Sequence, residues 1–114
     1  MNIDELVVAI KATSSEKVVQ RLGDILLDWK KDETTVEDLR NLIEHYIGNT
    51  WITSDTVHSS VYQLWSTFRD DAILGVGGMT VNERLYCFGL FTQFDQAQTD
   101  NARKSIYNKV LARA

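Results

Sequence analysis

The chain has 114 residues, 44% hydrophobic and 25% charged, with three tryptophans and no proline. Its mass of 13.0 kDa implies a folded surface of roughly 6,300 Å² against roughly 19,000 Å² unfolded, enough burial for one ordinary core. This excludes a disordered tail, a collagen-like repeat and a membrane-spanning segment. Sixteen acids against twelve bases give a net charge of −4.

The charge is uneven. Asp24 to Asp55 holds eight acids and three bases, a net of −5, whereas the last 14 residues carry Arg103, Lys104, Lys109 and Arg113 and no acid. An acidic stretch repels phosphate and attracts basic partners. The simplest structural alternative is that both stretches are solvated helix faces. The first ten residues lack a basic leader segment, and the lone cysteine, Cys87, cannot form an internal disulfide. A cytosolic location is expected.

In chain order, the hydrophobic pattern is helical. Ile3, Leu6, Val7 and Ile10 form a first stripe. Thr13 and Glu16 have capping-box spacing ahead of a second helix bearing Val18, Val19, Leu22, Ile25, Leu26 and Trp29. Gly23 inside that helix disfavours it by up to about 1 kcal/mol relative to alanine, a penalty that a tight helix crossing would explain. Thr34 and Glu37 repeat the box before a third helix with Val36, Leu39, Leu42, Ile43, Tyr46 and Ile47, and Gly48 is expected at its C-terminal cap.

Thr53 or Ser54 is placed to cap a fourth helix carrying Val57, Val61, Leu64, Trp65, Phe68 and Ala72. It is expected to fade near Leu74, where Gly75, Gly77 and Gly78 mark a loop. Thr80 and Glu83 give a third box. The fifth helix then runs through Leu85, Tyr86, Cys87, Phe88, Leu90, Phe91 and Phe94, apolar all round and therefore expected in the core. Asp95 is expected to cap a last helix with Ala102, Ile106, Tyr107, Val110 and Leu111, whose C-terminal bases favour its dipole. The sum is an all-α bundle of five or six short helices with a buried fifth helix, a single domain over residues 1–114 with no internal repeat.

Few residues point to catalysis. Asp55 and His58 lie at i, i+3, but a carboxylate-bridged dimetal bundle needs two such pairs and two further glutamates. His45 has Leu42, not an acid, three positions before it. The Gly75–Gly78 loop lacks the Gly-Lys-Ser/Thr ending of a P-loop, and Cys87 between Tyr86 and Phe88 reads as a core residue rather than a nucleophile. No cofactor, metal or catalytic set is expected. Nucleic-acid binding through Arg103, Lys104, Lys109 and Arg113 is disfavoured by a pI near 5.0. The remaining candidate is a partner-binding surface built from Asp24, Asp28, Asp32, Glu33, Glu37 and Asp38, with Trp51 as an anchor, since tryptophan is enriched at interface hot spots. Glu37 and Asp38 also suit the start of the third helix electrostatically.

The segment Met79–Phe91, reading Met-Thr-Val-Asn-Glu-Arg-Leu-Tyr-Cys-Phe-Gly-Leu-Phe and closing with Phe94-Asp95, spans 17 of the 114 residues. It resembles a C-terminal stretch of small cytosolic bacterial immunity proteins, including those of contact-dependent growth inhibition systems. The resemblance implies a non-enzymatic protein that binds and neutralises the C-terminal domain of a cognate toxin, often a basic nuclease. It assigns Asn82, Glu83, Arg84 and Gly89 structural tasks: a cap, a buried ion pair and a close packing point. A helical adaptor that binds a host protein or peptide is the alternative from a different class.

Overall fold

A computed structural model describes residues 1–112. Arg113, one of the four bases of the C-terminal tail, lies outside the described residues. Within them the chain is helical, with no strand. Seven α-helices follow in order: α1 (Ile3–Thr13), α2 (Lys17–Trp29), α3 (Val36–Asn49), α4 (Asp55–Phe68), α5 (Val81–Cys87), α6 (Phe91–Gln96) and α7 (Asp100–Lys109). A π turn (Arg69–Ile73) extends α4, and a 3-10 turn (Val76–Gly78) leads to α5. No described helix is long and apolar enough to cross a membrane. The folded surface of 6730 Å² is slightly above the scaling value, in keeping with an elongated shape of 46 × 25 × 21 Å.

The stripes expected from periodicity do form the core. Ile3, Leu6, Ile10, Val19, Leu22, Leu26, Trp29, Leu39, Ile43, Val61, Trp65 and Phe68 are all buried in one cluster. Leu42 is an exception at 46% exposed, and so is Leu111, which lies beyond the end of the last helix and is 39% exposed. Aromatic rings link the two ends of the chain: Trp29 meets Phe88 edge-on at 5.7 Å, and Phe88 meets Phe68 at 5.8 Å. Edge-to-face pairs of this kind contribute about 0.5–1.5 kcal/mol beyond their burial. The Tyr46 hydroxyl donates to the Val18 carbonyl at 2.7 Å, joining α3 to α2. Trp65 Nε1 is buried without a hydrogen-bond partner among the described residues.

α1 and α2 pack against each other, and Gly23 leaves room for the Lys11 side chain between them. A Cβ there would lie 2.6 Å from Lys11 Cε and 2.8 Å from its Cγ. The Lys11 stem passes over the glycine so that its ammonium reaches Asp24. At the other end of the pair, Lys30 reaches Asp4 at 2.7 Å.

The local signals were displaced in several places. Thr13 does not cap α2; α1 runs through it, and its hydroxyl donates back to the Ala9 carbonyl at 2.9 Å. Glu16 instead turns to Thr53, accepting from its amide and its hydroxyl. α1 itself has an unforeseen capping box, Asn2 with Glu5. For α3 the box is Thr35 with Asp38, one residue later than Thr34 with Glu37. Gly48 lies within α3 rather than after it, and the Asn49 side chain covers the His45 carbonyl at 2.8 Å. Ser54 caps α4, and Thr80 with Glu83 caps α5, as expected.

The expected fifth helix is two helices. Gly89 has φ of +63°, which ends α5, and α6 starts after Leu90. The count rises to seven for this reason. The run is also not a buried helix: α5 buries only Leu85 and α6 no residue, Phe88 and Leu90 are buried in the connection between them, and Tyr86 and Phe91 are exposed. Nor does Asp95 cap the last helix; it lies inside α6, and Thr99 caps α7 by accepting from the Ala102 amide. Arg84 makes no ion pair among the described residues; it donates to the carbonyls of Met79, Val110 and Leu111, fastening α5 to the end of α7.

Gly89 is doubly constrained. Besides its φ, a Cβ there would lie 2.7 Å from Asp4 Oδ2 and 3.1 Å from Ile3 Cγ2. The left-handed conformation alone disfavours an L-residue by about 1–2 kcal/mol. Gly89→Ala is therefore expected to lower stability by at least about 1–2 kcal/mol, seen as a lower urea midpoint with an unchanged m-value.

Candidate functional site

The acids proposed from sequence divide into two groups. Asp24 is bound to Lys11. Asp38 is occupied by the cap of α3: its carboxylate accepts from the Thr35 amide at 2.9 Å and hydroxyl at 3.1 Å. Asp32 accepts from the Thr34 amide and hydroxyl, at 2.8 and 2.7 Å. It also pairs with Lys109 at 2.8 Å. Asp28, Glu33 and Glu37 are exposed, and their carboxylates have no hydrogen-bond or ion-pair partner among the described residues.

These three flank one corner. Asp28 is in the last turn of α2, Glu33 in the connection, and Glu37 in the first turn of α3. Trp51 is not beside them. It follows the far end of α3, and the 14 residues of that helix span about 21 Å at 1.5 Å per residue. The outward side of α3 joins the two ends, carrying Glu37, Asn41, Leu42, Glu44 and His45, all exposed. Trp51 is 81% exposed and so does not cover the core. The same surface carries an Arg69 hub that sequence reasoning missed. Arg69 Nη1 donates to Glu44 at 2.7 Å and Nε to Asp70 at 3.0 Å. Hydrogen bonds to Glu44, Tyr62 and Asp70 hold the guanidinium pKa above its ordinary value. Its position on the π turn gives no sequence signal for a contact 25 residues away.

From the sequence alone Lys109 is one charge of a basic tail. It is 3% exposed. Its ammonium donates to the Asp32 carbonyl and carboxylate, both at 2.8 Å, and to the Thr34 carbonyl at 2.9 Å. All three protons are thereby used. The ammonium also lies 4.0 Å from the centroid of the Trp29 ring, whose Nε1 donates to the Thr35 carbonyl at 3.1 Å. One lysine from α7 thus fixes the corner that displays Glu33 and Glu37. Burial lowers the ammonium's pKa, while the hydrogen bond and charge of Asp32 and the charge of Asp38 oppose that shift. Burial would raise the Asp32 carboxyl, but the hydrogen bonds from Lys109 and Thr34 and the Lys109 charge hold it below the ordinary value.

The remaining candidates carry little chemistry. His45 is exposed, with Nδ1 3.3 Å from the Asn49 amide nitrogen, and His58 is half-buried near the start of α4. No group of three or more His, Cys, Asp or Glu side chains among the described residues is placed to hold a metal ion. Cys87 is half-buried, and burial, with the charge of Glu83 adding to it, pushes its thiol pKa up. That is opposite to what a nucleophile needs. On α7, Arg103 and Lys104 are exposed, with Arg103 6.0 Å from the Phe94 ring centroid.

Compared with family models, curated proteins and solved structures, the chain matches none.

Two measurements test the Lys109 clamp. Lys109→Met keeps the stem but leaves the Asp32 and Thr34 carbonyls without their donor, which is expected to lower stability by about 1–3 kcal/mol. A loss below about 0.5 kcal/mol would mean that water replaces the ammonium. The Asp32 contribution is full above its unfolded pKa near 3.8 and is lost as pH falls through the lower folded value. Asp32→Asn should therefore flatten the decline of the urea midpoint between about pH 5 and pH 2.

Proposed function

We propose that this protein is an immunity protein: a non-enzymatic, stoichiometric inhibitor that binds the C-terminal domain of a cognate bacterial toxin, in the cytoplasm. The observation that carries this reading is the α2–α3 corner, where Asp28, Glu33 and Glu37 are exposed and unengaged among the described residues. They continue into an α3 face ending at the exposed Trp51. Carboxylates without internal partners remain available to a cation. Complementary charge accelerates encounter with a basic domain and discriminates against wrong partners, while a buried aromatic anchor sets the dissociation rate. A nuclease domain, which must attract phosphate, is a fitting target because its own surface is positive. The resemblance over Met79–Phe91 and Phe94-Asp95 supports the same reading.

The acids differ in what their loss should do. Replacing Asp28, Glu33 and Glu37 together by Asn and Gln is expected to leave folding stability within about 0.5 kcal/mol. The same triple variant should slow association with the partner by about tenfold at low salt and flatten its salt dependence. Trp51→Ala should instead raise the dissociation rate, weakening affinity by about 2 kcal/mol at a hot spot.

The decisive experiment is co-expression with the protein encoded immediately upstream, followed by measurement of complex stoichiometry and of protection from its toxicity. A one-to-one complex that restores growth supports the proposal. No complex, or a complex without protection, rejects it; the latter would favour an adaptor.

A further inference from the structure

A groove of about 380 Å³ lies along α4, lined by Ser60, Gln63, Leu64, Thr67, Phe68, Asp71 and Met1. It is at the small end of ligand sites, which run from about 300 to 1,000 Å³. Its lining follows helical spacing: Ser60, Leu64, Thr67 and Asp71 form one row along the helix. Phe68 is buried beneath them, and Asp71 is exposed at the end of the row. No lysine, arginine or histidine side chain contributes to the lining; the one basic group its residues carry is the Met1 α-amino group.

The carboxylate at the end has a particular status. Its neighbour Asp70 is engaged by Arg69, which also holds Glu44. Asp71 has no cationic partner among the described residues. It lies in the π turn, closed by the Leu74 amide donating to the Arg69 carbonyl at 2.9 Å. Gly75 permits that turn, since a Cβ there would lie 2.6 Å from the Asp71 carbonyl oxygen. π insertions in helices often occur at functional sites. Ser60 and Tyr62 are about half a turn apart around α4, and Tyr62 and Arg69 occupy the other flank. The groove is therefore separate from the α3 face discussed above and does not depend on its reading.

We propose that this groove takes up a single lysine or arginine side chain of a protein partner. The aliphatic stem lies on Leu64, Phe68 and Met1, and the cationic head meets Asp71. Such side chains commonly lay their methylenes on apolar surface while the charge stays at a polar rim. The charge complementarity is local, because a carboxylate with no ion-pair partner among the described residues closes one end of a largely apolar trough that no lysine or arginine side chain lines. Ser60, Gln63 and Thr67 along the trough supply hydrogen-bonding groups for the backbone from which that side chain projects.

The test is amide NMR titration of the whole protein at fixed ionic strength with four probes: n-butylammonium, n-butylguanidinium, neutral n-butanol, and lysine blocked as its N-acetyl methylamide. Saturable shifts are expected at the amides of Ser60, Gln63, Leu64, Thr67 and Asp71 for the cations. The blocked lysine should bind at least as tightly as n-butylammonium. Asp71→Asn should weaken the cations at least fivefold, and Asp28→Asn should leave them within twofold. Equal response to n-butanol, or no saturation, overturns the proposal, as does an unaffected Asp71→Asn variant. Binding of n-butylammonium but not of blocked lysine also overturns it, by assigning the groove to a free small amine.

Discussion

The Lys109 ammonium is the point through which the last helix is held to the α2–α3 connection. It is enclosed by the Trp29 ring on one side and by the Asp32 and Thr34 carbonyls on the other. A buried ammonium is tolerated only when its charge is balanced and its protons are bonded, and both conditions are met by atoms of a single short connection. That connection is consequently fixed: its carbonyls are taken from above by Lys109 and by Trp29 Nε1. Its amides are taken from within by Asp32 and Asp38. Trp29 passes the constraint inward, since its ring meets Phe88, which meets Phe68. The end of α5, the end of α4 and the last helix are thus referred to the same tryptophan.

This arrangement explains why acids close in sequence do different work. Asp32 and Asp38 hold the corner in shape, and Asp24 holds α1 to α2 across Gly23. They are committed inward and contribute less free charge to a partner than a count implies. Asp28, Glu33 and Glu37 stand on the frame that the committed acids build. A rigid frame lowers the ordering cost of association, so the clamp and the display surface belong to one argument. The clamp is also acid-sensitive through Asp32, because protonation removes the charge opposite the ammonium.

The helices and their buried faces were legible because periodicity records burial directly: one side of each longer helix faces the core whatever its neighbours are. Caps were legible only to within a residue. Thr34-Thr35 and Glu37-Asp38 offer two boxes of equal spacing, and the turn that Asp32 makes with Thr34 uses up the first hydroxyl. Thr13 and Glu16 have the spacing too, but α1 was favourable enough to continue through Thr13. Periodicity fails at Leu85–Phe94, where the apolar run reads as one helix and Gly89, in the left-handed conformation, divides it into two.

By itself, then, the sequence determined an all-helical chain, the core stripes and the position of its excess negative charge, since each depends on residues within a few turns of one another. The tertiary structure decided which charges are free. Lys109 and Asp32 are 77 positions apart, as are no two groups that local spacing can relate. A lysine near the end of a basic helix reads as a complement to that helix dipole. Only the packing of α7 over Trp29 removes it from water and turns it into the group that sets the acidic corner in place.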